Sequence, residues 1–215
     1  MEVHAILSSG VDSNIYLLLL EDYAYLIDTG TGSNEDRIVK QVTKSLGSRR
    51  VSGIILTHIH IDHSGGASGL SRRLNAPVMI HESESLPLEK GDDHTACAWL
   101  LGMNLSPVKP RGLKGGETLP GGVEVIHTPG HSAGSITLYH KDSKSLFPGD
   151  TFFLYGGVGR WDLPGGDLSL LERSLRSLRR LDFEGVYPGH GGYTFSSGKE
   201  HLEMALFSLG MEEPE

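Results

Sequence analysis

Three histidines and one aspartate fall within six consecutive positions, directly after an apolar run from Val51 to Leu56. These four residues are His58, His60, Asp62 and His63. In an extended chain successive side chains point to opposite faces, so alternation with Ile59 and Ile61 would place the first three polar groups on one face. A helix can begin at Ser64 and Gly65, since serine is a favourable N-cap. The pattern predicts polar ligands on the turn between a buried strand and a helix.

This chemistry indicates a metal site. Imidazole and carboxylate are good ligands for zinc and other first-row divalent cations. A polar loop whose histidines are merely solvated is a weaker explanation for so dense a cluster. Cys97 is the single cysteine of the chain. It excludes an internal disulfide and fits a reducing, cytoplasmic compartment, and any metal ligands are expected to be His and Asp.

Length and charge restrict the remaining possibilities. A chain of 215 residues with 38% hydrophobic content can form one sizeable core, and we predict a single domain over residues 1–215. No apolar run reaches the ~18 residues that a membrane span needs, and residues 1–4 do not resemble a signal peptide. The formal net charge of −8 argues against a nucleic-acid partner. We therefore expect a small-molecule substrate.

The order of predicted elements suggests an α/β fold with two sets of strands. Three strands with short connections come first (Val3–Leu7, Asn14–Leu20 and Tyr23–Ile27), which favours an antiparallel meander. A helix ending near Leu46 and a β-α-β order up to Ile80 then predict parallel strands. In the segment 81–112 a helix is expected over Asp92–Leu101. A strand pair is expected over Leu113–Leu119 and Val123–His127, and last helices are expected from Asp167 and from Phe195.

Three further polar residues share one local pattern. His131, Asp150 and His190 each directly follow a Pro-Gly pair at the end of a predicted strand. Proline stiffens such a turn, and glycine allows close approach of the backbone. With the first cluster they give five histidines and two aspartates. Seven ligands are too many for one tetrahedral zinc but suit two metals that share a bridging carboxylate and hydroxide.

The ordered set of motifs resembles the metallo-β-lactamase superfamily and, within it, the glyoxalase II-like (hydroxyacylglutathione hydrolase-like) enzymes. The resemblance is carried by the segments 28–30, 58–63, 128–131, 149–150 and 188–190. It implies an αββα sandwich, in which two mixed β-sheets are flanked by helices and the metal site lies at their shared edge.

The same resemblance implies a role for each ligand. The first metal would be held by His58, His60 and His131, and the second by Asp62, His63 and His190, with Asp150 bridging the two metals. Zinc is the expected metal, and iron or manganese are the alternatives. Asp28 would support the site by a hydrogen bond to a ligand imidazole, although a simple turn aspartate explains it equally well.

Two divalent metals would lower the pKa of a bound water and stabilise an oxyanion. Asp62 would orient the resulting hydroxide and accept its proton, which makes it the predicted catalytic residue. A thioester suits such a site, because its leaving thiol has a pKa near ~8.5 and departs without a strong acid. The sequence therefore predicts a thioesterase of the glyoxalase II type.

Two alternatives stay open within the superfamily, a lactonase and a persulfide dioxygenase. The dioxygenase would use one iron held by His58, His131 and Asp150. That group typically carries Cys-Gly-Arg-Thr-Asp-Phe after the bridging aspartate, and this chain has Val-Gly-Arg-Trp-Asp-Leu at 158–163. The match is partial and weakens the dioxygenase interpretation.

The substrate-binding residues are expected in the loop after Asp150. Full-length glyoxalase II enzymes carry a C-terminal helical domain that grips glutathione, whereas here one predicted helix and a short acidic tail follow His190. Arg160 could pair with a substrate carboxylate, and Tyr155 or Trp161 could cover an apolar part. Alternatively, Arg160 and Asp162 only brace the loop.

Overall fold

The computed structural model describes residues 1–7 and 10–210. This part of the chain forms two compact units, the first covering Met1–Lys114 and the second beginning at Gly115. Each unit contains one β-sheet and its own helices. The acidic tail at 212–215 lies outside the described residues, and the single domain predicted from the sequence stays a prediction.

The sheet of the first unit has six strands in sequential order. They are β1 (Glu2–Ile6), β2 (Ile15–Leu19), β3 (Ala24–Ile27), β4 (Gly53–Ile55), β5 (Val78–His81) and β6 (Arg111–Leu113). The first three strands pair antiparallel, which confirms the predicted meander, and β3 to β6 pair parallel. The sheet is therefore mixed, and β4 is central and fully buried.

Four α-helices belong to the first unit: α1 (Glu35–Leu46), α2 (Ile61–Ser64), α3 (Ala67–Leu74) and α4 (Glu82–Lys90). Helix α1 buries Ile38, Val42 and Leu46, four residues apart, against the apolar side of the sheet. Its acidic first turn and basic last turn complement the helix dipole. This packing fixes the sheet edge from which the first ligands emerge.

The predicted helix start at Ser64 was wrong. Helix α2 begins at Ile61, so Asp62 and His63 lie on a helix and not in an extended chain. The backbone N–H groups of His63 and Ser64 both donate to the carbonyl of His60 at 2.9 Å. The Ser64 hydroxyl does not cap a helix but donates to the Ile59 carbonyl at 2.6 Å. The helix therefore begins three residues earlier than predicted, and its first N–H, that of Ile61, donates to the carbonyl of the distant Ala96 at 2.8 Å.

Two predictions in the segment 81–119 also need correction. Of the helix expected over Asp92–Leu101, only a 3-10 turn at Ala98–Leu101 is present, whereas α4 runs through Pro87. The strand expected over Leu113–Leu119 is divided, because β6 pairs with β5 while Thr118–Leu119 pairs in the other unit. Local propensity could not separate these strands, since β6 is defined by β5, a partner about 32 residues earlier, whereas Thr118–Leu119 forms a hairpin with the next strand.

The sheet of the second unit has five strands in the order β11-β10-β9-β8-β7. They are β7 (Thr118–Leu119), β8 (Val123–His127), β9 (Ile136–His140), β10 (Ser145–Gly149) and β11 (Gly185–Pro188). Strands β10 and β11 pair parallel and the other neighbours pair antiparallel. This sheet is therefore also mixed.

Two helices accompany this second sheet, α5 (Leu168–Leu178) and α6 (Gly198–Ser208). The carboxylate of Asp167 accepts the N–H of Leu170 at 2.9 Å, which confirms the predicted cap of α5. The buried leucines of α5 and α6 pack into one core with Leu146 of β10 and Val186 of β11. In the described part of the chain we find no helix with the length and hydropathy of a membrane span.

Candidate metal centre

The first unit presents four of the predicted ligands around one turn. His58 and His60 follow β4, and Asp62 and His63 lie on α2. The three histidines are each at most 4% exposed. The ring centroid of His58 lies 4.7 Å from that of His60 and 4.1 Å from that of His63. Burying three imidazoles together is costly unless their nitrogen atoms are engaged, and a shared metal provides such a partner.

Asp28 sets the orientation of one of these rings. The carboxylate is buried, and its Oδ2 accepts the Nδ1–H of His63 at 2.8 Å. The backbone N–H and the hydroxyl of Thr57 also donate to Asp28, at 2.7 and 2.9 Å. These bonds direct Nε2 of His63 outward as the ligand atom. That Nε2 lies 3.6 Å from Oδ2 of Asp62, too long for a good hydrogen bond.

The distance of 3.6 Å is informative about a metal. Two ligands on one tetrahedral ion, each about 2.0–2.2 Å from it, lie ~3.3–3.6 Å apart. His63 and Asp62 therefore have a separation that one shared ion would impose. The hydrogen bond between His63 and Asp28 was one of two interpretations of Asp28 in the sequence, and the structure contains it.

A second supporting network was not predicted. The carboxylate of Asp12 accepts the N–H and the hydroxyl of Thr31 at 2.7 and 2.6 Å, and the side-chain amide of Asn34 at 2.7 Å. Thr29 in the same loop donates its hydroxyl to the carbonyl of His63 at 2.6 Å. Asp12 thus holds the loop that contacts the ligand helix. Its sequence context, Gly10-Val11-Asp12-Ser13, gives no signal of this role.

The second unit presents the other three predicted ligands. His131 lies on the turn between β8 and β9, Asp150 directly follows β10, and His190 follows β11. Because β10 and β11 are parallel neighbours, their carboxyl ends meet at one edge of the sheet. Oδ2 of Asp150 lies 3.7 Å from Nε2 of His131 and 3.4 Å from Nε2 of His190. One carboxylate oxygen therefore faces two imidazole nitrogens, as in a carboxylate that bridges two metals.

The ring of His131 is fixed by the chain itself. Its Nδ1–H donates to the backbone carbonyl of Arg160 at 2.7 Å, which directs Nε2 toward Asp150. The loop that carries Arg160 approaches His131 this closely only because position 159 is glycine. A Cβ atom on Gly159 would lie 2.0 Å from the Asp150 carbonyl oxygen and 2.8 Å from Nδ1 of His131. The role of the Arg160 backbone was not predicted, because every residue has a carbonyl and the residue type does not show which one accepts a hydrogen bond.

The three predicted substrate-binding side chains are all at least partly exposed. Tyr155 is 81% exposed and Trp161 is 38% exposed. Arg160 forms a two-point ion pair with Asp162, with N–O distances of 2.9 and 2.8 Å, and the hydrogen bond from Arg160 lowers the pKa of the Asp162 carboxyl. This is the bracing arrangement that the sequence left as an alternative. A role in substrate binding stays a prediction for all three.

The donor set fits divalent metal ions. All seven predicted ligands belong to groups of His and Asp side chains that could hold a metal ion. Two of the imidazoles are held at Nδ1 by protein acceptors, as metal-binding histidines usually are. The chain therefore carries a His/Asp cluster able to bind metal, and nitrogen and oxygen donors of this kind accept zinc, iron or manganese.

Comparison with known proteins agrees with this chemistry. The model of the metallo-beta-lactamase superfamily matches residues 9–190. The probable metallo-hydrolase MJ0888 of Methanocaldococcus jannaschii is 36% identical over 189 residues, 85% of this chain and 89% of that protein. The human acyl-coenzyme A thioesterase MBLAC2 is 30% identical over 85% of this chain and 74% of its own length. The hydroxyacylglutathione hydrolase GloC of Haemophilus influenzae is 29% identical over 81% of this chain and 82% of its own length.

Solved structures show the same fold. The BLEG-1 B3 metallo-beta-lactamase superposes with a TM-score of 0.81 at 28% identity, covering 96% of this chain and 97% of that one. The di-iron-bound form of TTHA1623 superposes with a TM-score of 0.76 at 34% identity, covering 94% and 96%. The predicted fold class, two mixed sheets flanked by helices, is confirmed.

Proposed function

Because the chain belongs to the metallo-beta-lactamase superfamily, we propose that it is a metal-dependent hydrolase of acyl thioesters. The observation that carries the metal chemistry is the carboxylate of Asp150, whose Oδ2 faces the Nε2 atoms of His131 and His190. The sequence identities with an acyl-coenzyme A thioesterase and a hydroxyacylglutathione hydrolase support a thioester as the substrate.

The proposed centre holds two metals. His58, His60 and His131 hold the first, and Asp62, His63 and His190 hold the second. Asp150 is the ligand that they share. Zinc is the expected metal, while the di-iron form of TTHA1623, at 34% identity, makes iron a specific alternative.

Bound metals of this kind supply an activated water at neutral pH and stabilise negative charge on a carbonyl oxygen. The remaining tasks belong to the chain. In the proposed reaction Asp62 would orient the attacking water and accept its proton. Asp28 and the Arg160 carbonyl keep His63 and His131 in a single tautomer and orientation, so that little reorganisation is needed during the reaction.

The thioester bond is the feature that the two named thioesterases share. One is named for coenzyme A and the other for hydroxyacylglutathione, so their thiol carriers differ while the bond that is cleaved is the same. Within this class the sequence resemblance favours 2-hydroxyacyl-glutathione. We also infer an open carrier site that tolerates several thiols, since the predicted contacts at Tyr155 and Trp161 are exposed.

A substrate panel tests the proposal. Purified protein is assayed with one 2-hydroxyacyl group on glutathione, coenzyme A and a simple thiol, beside a lactone, a β-lactam and a persulfide with oxygen consumption recorded. We expect hydrolysis of the thioesters, and its loss in Asp150→Ala. Turnover of the lactone or the persulfide without thioester hydrolysis would overturn the proposal.

A further inference from the structure

An exposed apolar surface lies close to the first ligand turn. It consists of Trp99, Leu100 and Leu101, three consecutive residues of the 3-10 turn, which are 57%, 45% and 37% exposed. We call these three residues the apolar knob. Large apolar side chains that stay exposed as a contiguous group usually mark a binding surface.

The knob is rigidly mounted on its own unit. The Asp92 carboxylate accepts the N–H and the hydroxyl of Thr95, and the Asp93 carboxylate accepts the Leu105 N–H at 2.6 Å. These bonds tie both ends of the segment 92–105. Ala96 and Ala98, on either side of Cys97, are fully buried in the core. The knob is therefore a preformed surface, so a ligand that binds it pays little ordering entropy.

The segment is bonded directly to the predicted metal ligands. The N–H of Ile61, between His60 and Asp62, donates to the carbonyl of Ala96 at 2.8 Å. Trp99 is three positions beyond Ala96, a reach of at most ~11 Å along the backbone. A substrate whose reacting bond lies at the ligand turn can therefore extend an apolar tail to the knob.

We propose that the apolar knob binds the acyl chain of the substrate, so that this protein favours thioesters of medium or long acyl chains. The inference rests on the proposed thioesterase function and adds a substrate class to it. A fully buried CH₂ group is worth about fourfold in binding. Because the knob is only half-buried, each methylene that contacts it should give a smaller gain in binding than this.

The charge and the size of this surface argue against a membrane or a second copy of the chain as the partner of the knob. The segment 91–106 carries Asp92 and Asp93 but no Lys or Arg. Hydrogen bonds from Thr95 and from the Leu105 N–H lower the pKa of these two carboxyls, which keeps them ionised. Two carboxylates oppose an anionic membrane surface. The knob consists of three residues, whereas a stable protein interface takes about 20–30 residues a side.

The kinetic test varies only the chain length. S-acyl-glutathiones with two to ten acyl carbons are compared below their micellar concentrations. We expect kcat/KM to rise at least tenfold across the series in the wild type. The rise should be lost in Trp99→Ala and restored in Trp99→Phe. Phe207→Ala removes another exposed aromatic residue, on α6 of the other unit, and should leave the profile unchanged.

A binding test avoids turnover altogether. The chain has two tryptophans, so the emission of Trp99 is obtained as the difference between the wild type and Trp99→Phe. The thioether S-decylglutathione should shift the Trp99 emission to shorter wavelength, and S-methylglutathione should not. Absence of the shift would overturn the acyl site.

The outcomes separate the two proposals. Thioester hydrolysis with a flat chain-length profile would overturn the acyl site and leave the thioesterase standing. If kcat/KM still rises with chain length in Trp99→Ala, the knob is not the cause of the rise. A sedimentation experiment in which Trp99→Ala dissociates a dimer would assign the knob to a subunit interface. A protein inactive on every thioester would overturn both proposals.

Discussion

The carboxylate of Asp28 lies 2.8 Å from Nδ1 of His63, and both side chains are buried. The two residues are 35 positions apart. Asp28 directly follows β3 and has a φ of 60°, an unusual backbone conformation for aspartate. The pair fixes which nitrogen of His63 is offered to a metal.

We therefore expect Asp28→Ala to weaken metal binding by about 10- to 100-fold, the usual effect of losing such a partner. The measurement is a competition titration with a chromophoric chelator. Asp22→Asn changes an exposed carboxylate in the same unit and serves as the control. Unchanged affinity in Asp28→Ala would show that the hydrogen bond is structural only.

Metal content is the second prediction. Because seven ligands are predicted, we expect about two divalent ions per chain, as in two-metal hydrolases. Chelation should abolish thioester hydrolysis, and zinc or iron should restore it. The measurement is elemental analysis of protein purified without added metal. One iron and no second metal, even after reconstitution, would favour the persulfide dioxygenase.

The third prediction concerns Asp62. The variant Asp62→Asn keeps the shape of the side chain and removes its charge. We expect kcat to fall by at least ~10²-fold, the low end of a general-base contribution, with little change in KM or in the thermal midpoint. Steady-state kinetics of the metal-loaded variant provide the measurement. A near-normal kcat would remove Asp62 from the reaction.

A fourth prediction tests the close approach at Gly159. In Gly159→Ala the new Cβ would collide with the Asp150 carbonyl oxygen and the His131 ring, so we expect large losses of metal affinity and activity. Gly157→Ala is the matched control, since its Cβ would meet only the side chain of Phe153, at 3.2 Å. Metal titration and thermal melting distinguish a displaced ligand from a destabilised fold. Equal effects of the two substitutions would contradict the assignment.

The fifth prediction decides between the two roles of Arg160. If its guanidinium binds substrate, Arg160→Ala should raise KM for anionic thioesters more than for neutral ones. The variant keeps the backbone carbonyl that orients His131. Asp162→Ala removes the other member of the ion pair and is the control. If Arg160 only braces the loop, both variants should behave alike on both classes of substrate.

The sequence by itself determined which His and Asp side chains are the predicted ligands and placed most of them after strands. Alternation after Val51–Leu56 and the repeated Pro-Gly turns are local signals, because each depends on the conformation of a few neighbouring residues. The antiparallel meander and the extent of α1 were equally local, set by short turns and by Gly47. These signals sufficed for the fold class and for metal-binding chemistry.

Tertiary structure decided what depends on distant partners. Three hydrogen bonds each join segments distant in sequence: the Ile61 N–H at the start of α2 to the Ala96 carbonyl, His63 to Asp28, and His131 to the Arg160 carbonyl. The same holds for the first part of the strand expected over Leu113–Leu119, which pairs with β5. The exposure of Trp99 is a further case, since the burial of an apolar side chain depends on the neighbours that the fold supplies. The physical reason is common to all of them: a backbone group or a solvent-exposed face acquires its role only when the folded chain brings its partner to it.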